Sequence, residues 1–352
     1  MANGGARLSI PQENPAVPPP RQSPVANANP PPRYTTAPRE IESLIDSFRS
    51  ANAFTRQERE MCFRSLFNLM TSSDEDEEGS SPFKDMISRL NRRALLKMAS
   101  LMTSYSDSYF LKIARDKNGC NSLQELLGKS HDVDACFLGS ILRRFFDVMT
   151  DRHAYCVAVQ GMRVFSQEKK IEMWSHVHHH ALDLACDQRG CIALKAIITV
   201  SDNSYWRNYL IGMVVLNALS LSYDAYGNFV VQHVLDLNDL RHTYNIAVRL
   251  QGRFVELSFL KYGSYIVEKL LETHDCSSVM VVAELLECEI DSLLRMTRGF
   301  HGNSVVVKAL SVTQMIRADL FWGLVHKLMP SLHILRGCQE SRNIAEILES
   351  VC

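Results

Sequence analysis

Asn228, Phe229 and Gln232 open the stretch "DAYGNFVVQHVLD" (residues 224–236), in which Val230, Val231, Val234 and Leu235 form one apolar helical face. Asn228 and Gln232 are four positions apart and share a face with Phe229 beside them, and the spacing sets that face apart from the buried one. Groups of this kind offer a pair of hydrogen-bonding heads and a plane to stack on. The same three positions recur as Ser264, Tyr265 and Glu268, and as Cys120, Asn121 and Gln124.

Two other constellations call for different chemistry. In "HVHHH" (residues 176–180) His176 and His180 stand one helical turn apart, a spacing able to chelate a metal, but no carboxylate or Cys is placed to complete the set, so the segment reads as a solvated or partner-facing surface. "SHDVDAC" (residues 130–136) offers Ser, His and Asp as neighbours in sequence, whereas a triad needs convergence in space. With no Gly-rich phosphate loop and no metal motif, the sequence reads as non-enzymatic, without cofactor or metal.

The stretch around Asn228 belongs to a ladder. "DKNGCNSLQELL", "DRHAYCVAVQGM", "DQRGCIALKAII", "DAYGNFVVQHVL", "LKYGSYIVEKLL" and "GFHGNSVVVKAL" repeat it, with a last echo in "CQESRNIAEILE". The position of Asn228 is taken in turn by Cys120, Tyr155, Cys191, Asn228, Ser264, Asn303 and Ser341, at intervals of 35, 36, 37, 36, 39 and 38 residues. Each copy follows another apolar-periodic segment, such as "MVVLNALSLSYD" or "QGRFVELSFLKY". Two helical segments per unit at this period predict a curved, right-handed all-α solenoid in which every unit buries its apolar faces on its neighbours. Stacking then aligns equivalent positions into one continuous strip.

Composition divides the 352-residue chain into three. Residues 1–38 hold ten of the twelve prolines and almost no large apolar side chains, so they are expected to be a disordered Pro-rich tail. Residues 39–102 turn helical, with Ile41, Leu44, Ile45 and Phe48, then a capping box "TRQE" (Thr55 to Glu58) leading into Met61, Leu66, Phe67 and Met70. They read as an N-terminal helical cap or decayed repeats, interrupted by an acidic loop over 71–82. Residues 103–352 hold about six repeats and a C-terminal half-repeat. Net charge is -1, so an anion-binding surface has to come from local clustering. The ten scattered cysteines show no metal-finger spacing and no apolar signal segment precedes them, which predicts reduced thiols in a soluble, cytoplasmic or nuclear protein.

The turns "YGNFVVQ", "YGSYIVE" and "HGNSVVV", with the terminal "LHILRGCQESRNIAEILE", resemble the Pumilio (PUF) family of RNA-binding proteins over roughly Tyr105 to Cys352, in a shortened, divergent, plant-like form. The resemblance implies one base read per repeat: positions i and i+4 hydrogen-bond to a base edge, and position i+1 stacks. Carried over on that ground, Asn228 with Gln232 and Phe229 reads uracil; Ser264 with Glu268 and Tyr265 reads guanine; Cys120 with Gln124 reads adenine, with Asn121 as a weak stacking group. Asn303 keeps half of a uracil reader, since Val307 replaces the second head. Cys191 keeps half of an adenine reader, with Lys195 in the place of Gln and Ile192 in the place of a ring. Tyr155, Cys156 and Val159 match no reader, although Tyr155 can stack on a base.

The resemblance also sets the RNA antiparallel to the chain, giving a site 5'-U(weak) G U A(weak) N A. It implies a monomer that binds single-stranded mRNA 3' untranslated regions with about micromolar affinity and regulates translation and stability through recruited proteins. Damage at Val159, Lys195, Val307 and Ala345 keeps a second reading open: a decayed solenoid acting as a protein-binding adaptor, marked by an apolar or charged stripe on its outer face.

Overall fold

Asp116, Asp151, Asp187 and Asp224 each open one of the repeated turns, and each does the same work. The Asp224 carboxylate accepts from the Tyr226 and Gly227 amides at 2.8 and 2.7 Å, and Asp187 accepts from the Arg189 and Gly190 amides at 2.8 and 2.7 Å. These bonds satisfy amides that the first turn of the following helix leaves without partners. The glycine of the turn is demanded by close approach: a Cβ on Gly263 would lie 2.6 Å from the Leu257 carbonyl oxygen, and one on Gly302 would lie 2.8 Å from Met296 Cα.

The computed structural model describes residues 38–50, 52–72, 81–103, 108–201, 204–273 and 276–351. It is helical throughout, with no strand among the described residues. The Pro-rich segment, apart from Pro38, and the heart of the acidic stretch lie outside the described residues.

Three short helices precede the repeats: α1 (Pro38–Arg49), α2 (Arg56–Thr71) and α3 (Pro82–Ser88). Seven units of three helices follow. They are α4 (Arg92–Thr103), α5 (Ser108–Ala114) and α6 (Lys117–Leu126); α7 (His131–Arg143), α8 (Phe145–Met149) and α9 (Tyr155–Val164); α10 (Gln167–His179), α11 (Ala181–Ala185) and α12 (Gly190–Val200). The fourth and fifth are α13 (Ser204–Leu216), α14 (Ala218–Tyr223) and α15 (Gly227–Asp236), then α16 (Leu240–Leu250), α17 (Phe254–Ser258) and α18 (Lys261–Leu271). The last two are α19 (Cys276–Glu287), α20 (Ile290–Arg298) and α21 (Phe300–Ile316), then α22 (Ala318–Leu328), α23 (Leu332–Arg336) and α24 (Arg342–Glu349).

Like positions stack in rows. First helices pack α4 on α7, α7 on α10, α13 on α16, α16 on α19 and α19 on α22; third helices pack in an unbroken row from α6 to α24. Between them runs a continuous core in which Val230, Val231, Val267, Leu270, Val305 and Val306 are wholly buried. This is the expected all-α solenoid. At the junction of α10 and α13 the seam is aromatic, with the His178 ring 5.3 Å from Trp206 and 4.6 Å from Tyr209.

Four features depart from the sequence reading. Each unit has three helices rather than two, because the apolar segment before each turn contains a break: in "MVVLNALSLSYD" the Asn217 side chain donates to the Met213 carbonyl at 2.8 Å, ending α13 before α14 begins. The division after Met102 falls inside α4, whose packing on α5 and α7 makes it the first helix of the first unit. The C-terminal unit has all three helices rather than half. Finally, α1 packs on α4 and α2 packs on α6, so residues 38–71 continue both rows by one further two-helix unit. The capping box at Thr55 is present, with the Thr55 amide donating to Glu58 at 2.8 Å, whereas Met61 is 58% exposed instead of core.

Candidate nucleic-acid interface

The row of third helices brings the expected readers together in a line, one per unit. Within each unit the three positions differ in depth. Cys120, Cys191, Asn228 and Ser264 are buried, at 2%, 3%, 0% and 1% exposure. This corrects the expectation that the face of Asn228 is set apart from the buried one: the head of the pair lies beneath the surface. Phe229 and Tyr265 are 44% and 40% exposed, and Gln124, Lys195, Gln232 and Glu268 lie half-buried between the two levels.

The buried heads are held by their own chain. Both amide hydrogens of Asn228 go to carbonyls, those of Asp224 at 2.9 Å and Ala225 at 3.0 Å, and its Oδ1 accepts from Gln232 Nε2 at 2.9 Å. Gln232 is thereby oriented, with its own oxygen and one amide hydrogen left for a ligand. Ser264 donates to the Lys261 carbonyl at 3.2 Å. Cys120 donates to the His153 carbonyl at 3.0 Å, and Gln124 Nε2 donates to the Cys120 carbonyl at 3.3 Å. Position i is therefore tied to its own chain, while positions i+1 and i+4 present their groups nearer the surface.

Glu268 has no hydrogen-bond donor from the protein among the described residues, and burial raises its carboxyl above the ordinary value, Lys308 pulling it down and Glu272 pushing it up. Lys308 is itself paired with Glu272 at 2.7 Å, and Lys269 with Asp236. These pairs are rungs between successive third helices, and the sequence reading missed them; the spacing of 36 between Glu272 and Lys308, one repeat period, is the signal that reveals them. Lys195 sits with its ammonium 5.6 Å from the centre of the Phe229 ring, so the head of one unit lies against the stacking group of the next.

At the ends of the row the expected readers fare differently. Asn303 donates to the Thr297 and Glu340 carbonyls, each at 2.8 Å, and accepts from Asn343 Nδ2 at 3.2 Å. It latches the sixth unit to the seventh. Asn121 is exposed, Tyr155 is half-buried, and Val159 is sunk in the core at 6% exposure. The neighbouring Cys156 thiol and burial push Cys120 above the ordinary thiol value, while the Cys120 thiol, with the Tyr155 hydroxyl assisting, lowers Cys156 to about 6. Cys120 is therefore a neutral donor. No group of three metal-ligating side chains occurs among the described residues, and His176 and His180 instead flank the Phe145 ring, each at 5.6 Å.

Four segments, residues 109–134, 180–204, 217–247 and 253–273, match the Pumilio-family RNA binding repeat. Pumilio homolog 18 of Arabidopsis thaliana is 55% identical over 285 residues, covering 81% of this chain and 85% of that protein. Among solved structures, the Puf4 RNA binding domain bound to an HO endonuclease RNA 3' UTR recognition sequence superposes with a TM-score of 0.70 at 20% identity, covering 88% of this chain and 94% of that one. The PUF-8 complex with PBE-RNA gives 0.64 at 17% identity, covering 90% and 91%.

Proposed function

The chain belongs to the Pumilio family of RNA-binding repeat proteins, and from that premise we propose that it reads single-stranded mRNA carrying a UGU core in 3' untranslated regions, acting as a monomeric, cytoplasmic regulator of translation and mRNA stability. The observation that carries this reading is the pair of adjacent third helices α15 and α18. Each offers one half-buried head aimed beside one exposed ring: Gln232 with Phe229, then Glu268 with Tyr265. Two rings from neighbouring units flank one base, and stacking contributes about 1 to 3 kcal/mol per base. The amide of Gln232 matches the mixed donor and acceptor edge of uracil. The carboxylate of Glu268 matches the two adjacent donors of guanine, a combination no other base presents.

The order of the units gives 5'-U G U A N A, with the first and fourth bases weakly read. Val307 supports the weakness of the first, since it offers no hydrogen-bonding head where Gln232 and Glu268 stand in the two preceding units. Support for 3' untranslated targets comes from Puf4, whose solved complex holds such a recognition sequence.

The test is selection of bound sequences from a random RNA pool by the full chain at physiological salt. Enrichment of UGU with A three positions after it is expected. Recovery of unselective binders alone, or a UGU preference that survives Asn228→Ala with Gln232→Ala, overturns the reading.

A further inference from the structure

The helix α13 is apolar on two sides. Leu210, Ile211, Val214 and Val215 face the core, yet Tyr205, Tyr209 and Leu216, on the i, i+4, i+11 row that also holds Gly212, are 67%, 54% and 60% exposed. Its packing neighbour α16 repeats the pattern: Leu240, Tyr244 and Val248 at i, i+4 and i+8 are 66%, 46% and 43% exposed, opposite the buried Ile246, Ala247 and Leu250. Two adjacent helices thus carry parallel apolar rows on the side of the solenoid formed by the first helices, away from the reading row. On the other first helices such residues stand singly, as Ile171 of α10 and Trp322 of α22 do, while α7 exposes His131 and Asp132, and α4 exposes Arg92 and Arg93. Tyr209 rests partly on His178 of α10, but Tyr205, Leu216, Leu240, Tyr244 and Val248 stand out on adjacent helices, and exposed apolar side chains gathered in this way mark interaction sites.

Charge narrows the occupant. One residue on from each apolar member of α16 lie Arg241, Asn245 and Arg249, all exposed, and neither arginine has an ion pair among the described residues. The residues of α13 and α16 include three arginines and no carboxylate. Asp239 is spent as the cap of α16, accepting from the Arg241 and His242 amides, and Glu284 of α19 is spent on the Gly252 and Val255 amides beyond the end of α16. An apolar row flanked by an unpaired basic row is the complement of an amphipathic helix with apolar residues at i, i+4 and i+7 and Asp or Glu along one flank.

We propose that the α13–α16 surface is a docking site for such an acidic amphipathic helix of a partner protein, separate from the RNA-reading row. RNA is a poorer fit, since Leu216, Leu240 and Val248 separate the tyrosine rings with aliphatic surface rather than continuing a run of stacking planes.

A display library of helical 16-residue peptides, randomised at apolar and flanking positions, is selected on the full chain. Peptides with Asp or Glu at the flank are expected, binding at least tenfold more weakly to the Leu216→Glu, Tyr244→Glu chain. The Arg241→Glu, Arg249→Glu chain is expected to select Lys or Arg at the flank instead, with RNA affinity unchanged in both variants and their helical circular dichroism intact. Failure to enrich any patch-dependent peptide overturns the proposal, as does enrichment of basic flanks on the unmodified chain. Loss of RNA binding in the arginine variant assigns the surface to nucleic acid, and a dimer in light scattering that Tyr244→Glu disperses assigns it to a second copy; each result overturns it equally.

Discussion

Burial of Glu268 removes hydration from its carboxylate, and that loss outweighs the attraction of Lys308. Folding and recognition then respond to pH with opposite signs. A carboxyl whose folded pKa is raised contributes stability below its unfolded pKa and loses it as pH rises through the folded value. The acceptor that guanine needs appears over that same rise. Guanine preference is therefore expected to fall on acidification, beginning above the ordinary value of 4.5, in binding measured with RNAs differing only at that base. Glu268→Gln is expected to remove the pH dependence and to relax guanine selectivity by about tenfold or more, the worth of one charge-assisted hydrogen bond, without lowering the melting temperature. Lys195 makes a second case. An ammonium has three donors and no acceptor, so it meets adenine N1 and leaves the exocyclic amine without a partner. Lys195→Gln supplies both, and the preference for adenine at the fourth base is expected to rise by about fivefold, a net hydrogen bond of about 1 kcal/mol; an unchanged preference would remove that unit from the register. Residue types at i, i+1 and i+4 were legible in the sequence. Depth was not, because a polar side chain at the edge of an apolar face can sink or surface, and only the bonds of Asn228 to Asp224 and Ala225 decide that it sinks.

At the scale of the element, the turn glycine fixes how closely a third helix crosses the second. Gly263→Ala places a methyl group against the Leu257 carbonyl oxygen, which is backbone and has nowhere to go, so a cost of about 1–3 kcal/mol is expected. Gly212→Ala is the matched control: a Cβ there meets nothing within 4 Å, and removing a helical glycine is expected to stabilise by about 0.5–1 kcal/mol. Thermal or urea unfolding of the two variants should move in opposite directions; a neutral Gly263→Ala would mean that the second helices yield readily. The same geometry explains which elements the sequence disclosed. Third helices announce themselves by the Asp-and-Gly turn and an apolar period sustained over ten residues or more. Apart from the nine-residue α20, the second helices, such as the five residues of α17, are shorter than two turns and establish no period. The pairing of α1 and α2 with the rows was hidden because counting back one period from Cys120 lands on α3, the acidic insertion having displaced the register.

For the whole molecule the question is what holds RNA when net charge is -1. Two basic side chains on the reading row are consumed where its best-equipped readers stand: Lys269 answers Asp236 and Lys308 answers Glu272. These pairs are partly exposed and add little stability, but they keep two cations from the phosphates. Lys195, next to these readers, lies against Phe229 rather than against a carboxylate. Binding that neutralises Z phosphates of a single strand falls with salt at a slope of about -0.7Z, so with one or two such contacts the logarithm of affinity is expected to fall with the logarithm of salt at a slope near -1. Fluorescence anisotropy between about 50 and 400 mM potassium chloride measures it. A shallow slope with UGU selectivity intact means that stacking and edge contacts from Phe229, Gln232, Tyr265 and Glu268 carry the affinity. A slope of about -3 or steeper means that a basic surface off this row does the holding. The exposed arginines of α16 would then be the first to test, because neither has an ion pair among the described residues and both stand on one helix face.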